Sequence, residues 1–244
     1  MSLNYLVTGA TSGIGLRTVE HLLSIGNKVF AIGRNTDSLE YLQRKYTQLI
    51  IVLKFDLLQI SEIEGQVSIF CEKNGKFDGL VNCAGIEETN PLTLYTFEKI
   101  NRIFQINTFA AIELLRVFAK KKYSNDGASI VLISSVMGIL GQSGKVGYCA
   151  SKSAVIGAVK ASALELAKRN IRVNAVLPGV VMTPMTEKLF EKIDEASQKR
   201  IQDMHPLGFG TVEDVVPTIA FLLSDNSKWI TGQNIIIDGG YSIQ

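Results

Sequence analysis

Only two histidines, His21 and His205, occur in the 244 residues, and they lie far apart in the chain. A histidine-based triad or a zinc site is therefore poorly supplied, and chemistry that does not use histidine is expected. Cysteine is as scarce. Cys71, Cys83 and Cys149 form an odd set without close spacing, which reads as free thiols of a reducing compartment and excludes a disulfide framework. No run of about 18 apolar residues is present, so no membrane-spanning helix is expected. Met1-Ser2-Leu3-Asn4 lacks the charged segment and apolar core of a secretion signal, which makes a cytoplasmic protein the expectation. Neither sign of charge dominates: 25 Lys and Arg stand against 23 Asp and Glu, a net +2. Without a basic block or an acidic tail, nucleic acid is not an expected partner. No repeat, linker or low-complexity segment divides the chain, so one domain spanning 1–244 is expected.

What the chain has is apolar residues, 46% of the total, with a mean hydropathy of +0.20. That suits a parallel sheet covered on both faces. Leu3 to Thr8 reads as a strand. It runs into Gly9-Ala10-Thr11-Ser12-Gly13-Ile14-Gly15, and a helical pattern follows through Leu16, Val19, Leu22 and Leu23. Strand, glycine-rich turn and helix in this order let backbone N–H groups and a helix N-terminus approach a phosphate. The spacing G-x-x-x-G-x-G is longer than the common G-x-G-x-x-G.

Further strands are expected at Lys28 to Ile32, Leu49 to Phe55, Phe77 to Val81, Ser129 to Ser134, Ile171 to Leu177 and Asn234 to Ile237. After the second strand stands Arg34, where an acidic residue would bind the 2′-hydroxyl of NAD. An arginine suits the 2′-phosphate of NADP, so NADP(H) is preferred over NAD(H), an exposed arginine being the plainer alternative. Asp56 after the third strand either accepts from an adenine amino group or caps the helix near Ile60. The small residues of Asn82-Cys83-Ala84-Gly85 allow a flat cofactor against the backbone, or simply a tight turn. A long helix is expected from Thr96 to about Lys122. Within it Asn107, flanked by apolar residues, needs a partner: a neighbouring backbone or a proton relay. Ser124 to Gly127 reads as a turn. Residues 185–205 are amphipathic, either a lid over a substrate cleft (about 182–208) or a surface hairpin.

Tyr148 and Lys152 lie one helical turn apart, on one face of a helix expected from Tyr148 to about Lys168. Its Ala150, Ala154, Gly157, Ala158, Ala161 and Leu164 form a small-residue face suited to close packing. A nearby lysine charge favours a phenolate by up to about 4 kcal/mol at an effective dielectric of about 20, so Lys152 is expected to bring Tyr148 toward working pH. Ser135, at the end of the fifth strand, places a hydroxyl upstream of this pair. Gly9, Arg34, Asp56, Asn82, Ser135 and Pro178 each follow an expected strand. In a parallel sheet they share one edge, the edge at which such sheets bind ligands.

These motifs, with Pro178-Gly179, Thr183 and Asp238-Gly239-Gly240, resemble the short-chain dehydrogenase/reductase family over essentially the whole chain. In layout they are most like the 3-oxoacyl-[acyl-carrier-protein] reductases. The resemblance implies an α/β Rossmann-type domain with a seven-stranded parallel sheet ordered 3-2-1-4-5-6-7, and a homotetramer. It implies a tetrad of Asn107, Ser135, Tyr148 and Lys152. Cofactor contacts are implied at Gly9, Thr11, Ser12, Gly13, Ile14, Gly15, Arg34, Asp56, Leu57, Asn82, Ala84, Gly85, Tyr148, Lys152, Pro178, Gly179, Val181 and Thr183. It further implies NADPH-dependent reduction of a carbonyl, with a 3-oxoacyl thioester as the leading substrate and an acyl carrier protein as a partner. Sugars, polyols or other small alcohols are the alternative substrates, and a non-catalytic dinucleotide-binding regulator is a different class. Cys83 and Phe209 depart from the usual residues of these relatives, asparagine and arginine. The runs Lys120-Lys121-Lys122 and Lys168-Arg169 are either carrier-protein contacts or solvated faces.

Overall fold

The computed structural model describes residues 2–243; Met1, on which the reading of the N-terminus partly rests, lies outside the described residues, as does Gln244. Seven strands, β1 (Asn4–Thr8), β2 (Lys28–Gly33), β3 (Ile50–Lys54), β4 (Phe77–Asn82), β5 (Ser124–Ile133), β6 (Arg172–Pro178) and β7 (Asn234–Ile237), form one sheet in the order β3-β2-β1-β4-β5-β6-β7. All neighbours pair in parallel. The order reverses between β1 and β4, which opens a crevice at the carboxyl ends of these strands.

Both sheet faces are covered, so the strands alternate between two cores instead of between core and water. In β5, Ile130 and Leu132 join a cluster beneath α3 (Ile63–Asn74), α5 (Ala110–Phe118) and α6 (Val146–Leu166). Val131 and Ile133 join the opposite cluster, beneath α1 (Gly13–Ser24), α2 (Glu40–Lys45) and α9 (Val212–Leu223). The first core holds a run of stacked rings: Phe30 on Phe70 at 4.7 Å, Phe70 on Phe77 at 4.4 Å, and Phe77 on Phe118 at 5.4 Å between centroids. Phe77 is fully buried. Truncating it removes contacts on both sides and leaves a cavity, so Phe77→Ala is expected to destabilise by about 3–5 kcal/mol, measured by denaturant unfolding.

Three elements differ from the sequence reading. The helix expected from Thr96 to Lys122 is α4 (Phe97–Phe104), then a single π-helical turn at Gln105–Phe109, then α5. The widened turn contains Asn107, and such turns are typical where a helix re-aims a side chain. Ser124 to Gly127 belongs to β5, whose register with β4 shifts between Phe77 and Gly79; Gly127 at φ +85° takes up the irregularity. Helix α6 starts at Val146, ahead of Tyr148, and its α-helical part ends at Leu166, followed by a short 3₁₀ turn. The small-residue face of α6 is open at Ala150, Gly157 and Ala161 and ends in Leu164, 81% exposed. The 185–205 segment folds as α7 (Pro184–Phe190) and α8 (Glu195–Asp203). Among the described residues no helix is long and apolar enough to cross a membrane.

Candidate active site

The turn between β1 and α1 is shaped by what glycine lacks. Gly9 sits at φ +61°, and a Cβ there would meet Ala84 N at 2.8 Å. A Cβ on Gly15 would collide with Gly9 O. The turn is thus pressed against β4 and closed on itself, so backbone rather than side chains faces the crevice. No side chain caps the start of α1: Ser12 makes no capping hydrogen bond. The first helical N–H groups remain free for an anion.

A cleft of about 1090 Å³ runs along this edge of the sheet. Of the residues singled out in the sequence it brings together Gly9, Thr11 to Gly15, Arg34, Asp56, Leu57, Ala84, Gly85, Ser135, Tyr148, Lys152, Pro178, Gly179, Val181 and Thr183. Its glycine-lined floor and the free amides fit a dinucleotide, with the pyrophosphate at the N-terminus of α1. Asp56 Oδ1 accepts from Leu58 N at 3.0 Å, so its side chain closes the turn after β3 while lining the cleft.

Asn82 and Asn107 are placed otherwise: neither lines the cleft, and both are buried. Asn82 Oδ1 accepts from Thr8 Oγ1, which ties β4 to β1. Asn107 clamps the chain beyond β4. Its Oδ1 accepts from Ile86 N at 2.8 Å, and its Nδ2 donates to Ile86 O at 2.9 Å and to Ser151 Oγ at 3.0 Å. Of the two partners open to Asn107, backbone or relay, the structure displays the backbone. A Cβ built on Gly85 would lie 3.3 Å from both Asn107 Oδ1 and Lys152 Nζ, so this glycine keeps the space between them clear.

At the middle of the cleft stand Ser135, Tyr148 and Lys152. Ser135 stands two residues beyond β5, and its Oγ accepts from Met137 N at 3.1 Å, capping the short turn that follows. Lys152 Nζ donates to Ile133 O at 2.8 Å and lies 5.8 Å from the centre of the Tyr148 ring. Burial pushes the Tyr148 phenol up to about 12, against the opposing effect of its hydrogen bond with Ser135. Burial draws the Lys152 ammonium down to about 8, the nearby Cys83 acting the other way. This corrects the expectation that Lys152 lowers the tyrosine. Burial disfavours the charged form of both groups, so it opposes the effect that the spacing alone suggests.

The cleft also contains residues that sequence reasoning missed. Lys145 and Glu87 face it beside Tyr148, and Gln142, Ser143 and Tyr241 line it too. His205, dismissed as an isolated histidine, is buried in its wall. Its Nε2 accepts from Val180 N at 3.3 Å, so Nδ1 carries the proton and donates to Ile201 O at 2.7 Å. It stacks on Tyr241 at 4.6 Å and so joins α8 and the loop after β6 to the segment after β7. No local pattern announces any of these, because each reaches the cleft from a loop. Along α7 and α8, Met185, Leu189, Phe190 and Ile201 also line it. Within the basic runs, Lys120 and Lys122 pair with Glu64, which also pairs with Arg116, and Arg169 pairs with Asp126.

A doubly wound parallel sheet with a glycine-rich cradle and a Ser-Tyr-Lys group at its carboxyl edge defines a nicotinamide-dependent oxidoreductase. The chain belongs to the short-chain dehydrogenase/reductase family; the family model described as enoyl-(acyl carrier protein) reductase matches residues 9–242. It is 40% identical to the 3-oxoacyl-[acyl-carrier-protein] reductase of Thermotoga maritima, over 98% of this chain and 97% of that one. Among solved structures it is similar to ElxO with NADP bound, at 29% identity and a TM-score of 0.87, with all of both chains covered. It is also similar to 4-hydroxyisoleucine dehydrogenase complexed with NADH and succinate, at 31% identity and a TM-score of 0.88 over 98% of this chain and 100% of that one.

Proposed function

We propose that this protein reduces the keto group of 3-oxoacyl thioesters, with NADPH as the cofactor and an acyl carrier protein as the natural carrier. The convergence of Ser135, Tyr148 and Lys152 at the centre of one cleft carries the reading. Identity of 40% to a 3-oxoacyl-[acyl-carrier-protein] reductase along nearly the full length supports the substrate. When bound, NADPH would supply a hydride to the carbonyl carbon. Ser135 donates a hydrogen bond to the carbonyl oxygen, and Tyr148 gives that oxygen its proton as negative charge develops. Tyr148 suits the acid role, since burial keeps the phenol protonated far above neutral pH. Lys152 binds the nicotinamide ribose hydroxyls and Thr183 the carboxamide, while Asn107 clamps the chain beyond β4 that backs the site. The segment of α7 and α8 acts as the lid, with apolar residues turned to the acyl chain.

Arg34 stands exposed at the cleft end beyond β2, where it takes the 2′-phosphate of NADPH. The test is dinucleotide oxidation with 3-oxoacyl thioesters, sugars, polyols and quinones, NADPH against NADH. Thioesters with NADPH are expected to give the highest kcat/KM. Arg34→Ala is expected to raise the KM for NADPH about 10-fold or more, the value of a lost charge-assisted bond, with little effect on NADH. A wild-type preference for NADH overturns the cofactor assignment, and turnover of sugars alone overturns the substrate.

Two exposed apolar regions support a homotetramer with two interfaces. One runs over α4 to α6 through Phe97, Phe109, Ile112, Val146 and Leu164. The other lies at the β7 edge, where Trp229 is 97% exposed, with Ile236 beside it. Light scattering of the purified protein is expected to give four times the chain mass.

A further inference from the structure

Lys145 and Glu87 meet inside the cleft beside Tyr148. Lys145 Nζ lies 3.3 Å from Glu87 Oε1, and each side chain is only 11% exposed. The same Nζ is 5.9 Å from the centre of the Tyr148 ring. Both residues line the cleft. Removing two charges from water is costly unless their remaining hydrogen-bonding capacity is used, and an apolar pair of similar size packs a protein wall at least as well. Glu87 has a second partner, since its Oε1 accepts from Thr89 Oγ1 at 2.7 Å. Lys145 is different. An ammonium carries three N–H donors, and among the described residues Glu87 is its one carboxylate partner, so donors remain toward the cleft. Met185 and Leu189 of the lid segment supply an apolar wall to the same cleft. The reacting carbonyl oxygen, held at Tyr148, therefore has a cation to one side and apolar lining available for a chain.

We infer that Lys145 is a specificity-determining residue, which donates to a second substrate oxygen placed two carbons from the reacting carbonyl, while Glu87 holds the ammonium in position. The substrate class is a 1,3-dicarbonyl compound with an apolar tail. This rests on the reading above and deepens it: in a 3-oxoacyl thioester the second oxygen is that of the thioester carbonyl. The two oxygens of such a compound lie within a few ångströms of each other, and Lys145 and Tyr148 stand side by side in the cleft.

The experiment uses the full-length protein with NADPH, Lys145→Met and Lys145→Gln variants, and three substrates of matched chain length. They are a 3-oxoacyl N-acetylcysteamine thioester, the corresponding 3-oxo ester and the monoketone lacking the second oxygen. Fluorescence titration with NADPH checks that the variants fold. In Lys145→Met the ratio of kcat/KM for dicarbonyl over monoketone is expected to fall about tenfold or more, as for loss of a hydrogen bond to a charged donor, and mainly through KM. Lys145→Gln, which keeps a donor, regains part of it. A ratio unchanged in both variants overturns the inference, even where wild-type thioester reduction upholds the substrate reading. A wild-type enzyme inactive on thioesters, yet with a Lys145-dependent ratio on the 3-oxo ester, removes the thioester reading and upholds the inference.

Discussion

Replacing Tyr148 by phenylalanine is expected to lower kcat about 10²–10⁴-fold, the contribution of a positioned general acid, while dinucleotide binding persists. Phenylalanine keeps the ring, which is flanked by Lys145 and Lys152 at 5.9 and 5.8 Å, so packing and the shape of the cleft survive. What disappears is the hydroxyl and its hydrogen bond with Ser135. The pH dependence carries the same signature. With the phenol at about 12, Tyr148 is protonated throughout the neutral range and ready for reduction. In the reverse direction it must act as a base, so alcohol oxidation by the wild type is expected to rise with pH as the phenolate fraction grows. Stopped-flow assays in both directions, with fluorescence titration of the dinucleotide, check both statements. A Tyr148→Phe enzyme that keeps most of its rate would end the proton-transfer scheme.

Lys152→Met is expected to abolish turnover and at the same time to stabilise the protein. Lys152 is 5% exposed, and burial holds its pKa at about 8 against 10.5 in the ordinary case. The sign follows from proton binding. Below about pH 8 both folded and unfolded chains hold the proton, and the folded state bears the cost of a buried charge. Above 10.5 neither state holds it, and the cost is gone. Each pKa unit corresponds to about 1.4 kcal/mol, so the full penalty near pH 7 is about 3 kcal/mol, and loss of the bond to Ile133 O brings the expected net gain to about 1–3 kcal/mol. The gain shrinks as pH rises from 8 to 10.5. Thermal or denaturant unfolding of both proteins across pH 6 to 11 measures it. A variant less stable at pH 7, or a gain independent of pH, contradicts this account. A functional site that bears such a cost is a common trade of stability for activity.

Much of this was legible in the chain because it is written locally. Alternating apolar strands, glycines between a strand and a helix, and a Tyr–Lys pair one helical turn apart are short-range patterns. Once the strands are parallel, their carboxyl ends share an edge, and the positions after them meet there. The failures have physical causes too. The π turn that holds Asn107 reads as continuous helix in the sequence, because the bonds that accompany the wider turn run to Ile86 and Ser151, distant in the chain. Ser124 to Gly127 carries turn-forming residues, yet pairing with β4 draws Ser124 into the strand.

The sequence by itself determined the class of fold, the sheet edge at which Ser135, Tyr148 and Lys152 gather in one cleft, and the arginine beside the second strand. The tertiary structure alone decided their electrostatics and company. Spacing suggests a lysine that acidifies a tyrosine. Burial, a property of the whole fold, raises the phenol and lowers the ammonium instead, because charge is disfavoured in both once water is removed. The pairing of Lys145 with Glu87, 58 positions apart, arises only when two loops close over the same cleft.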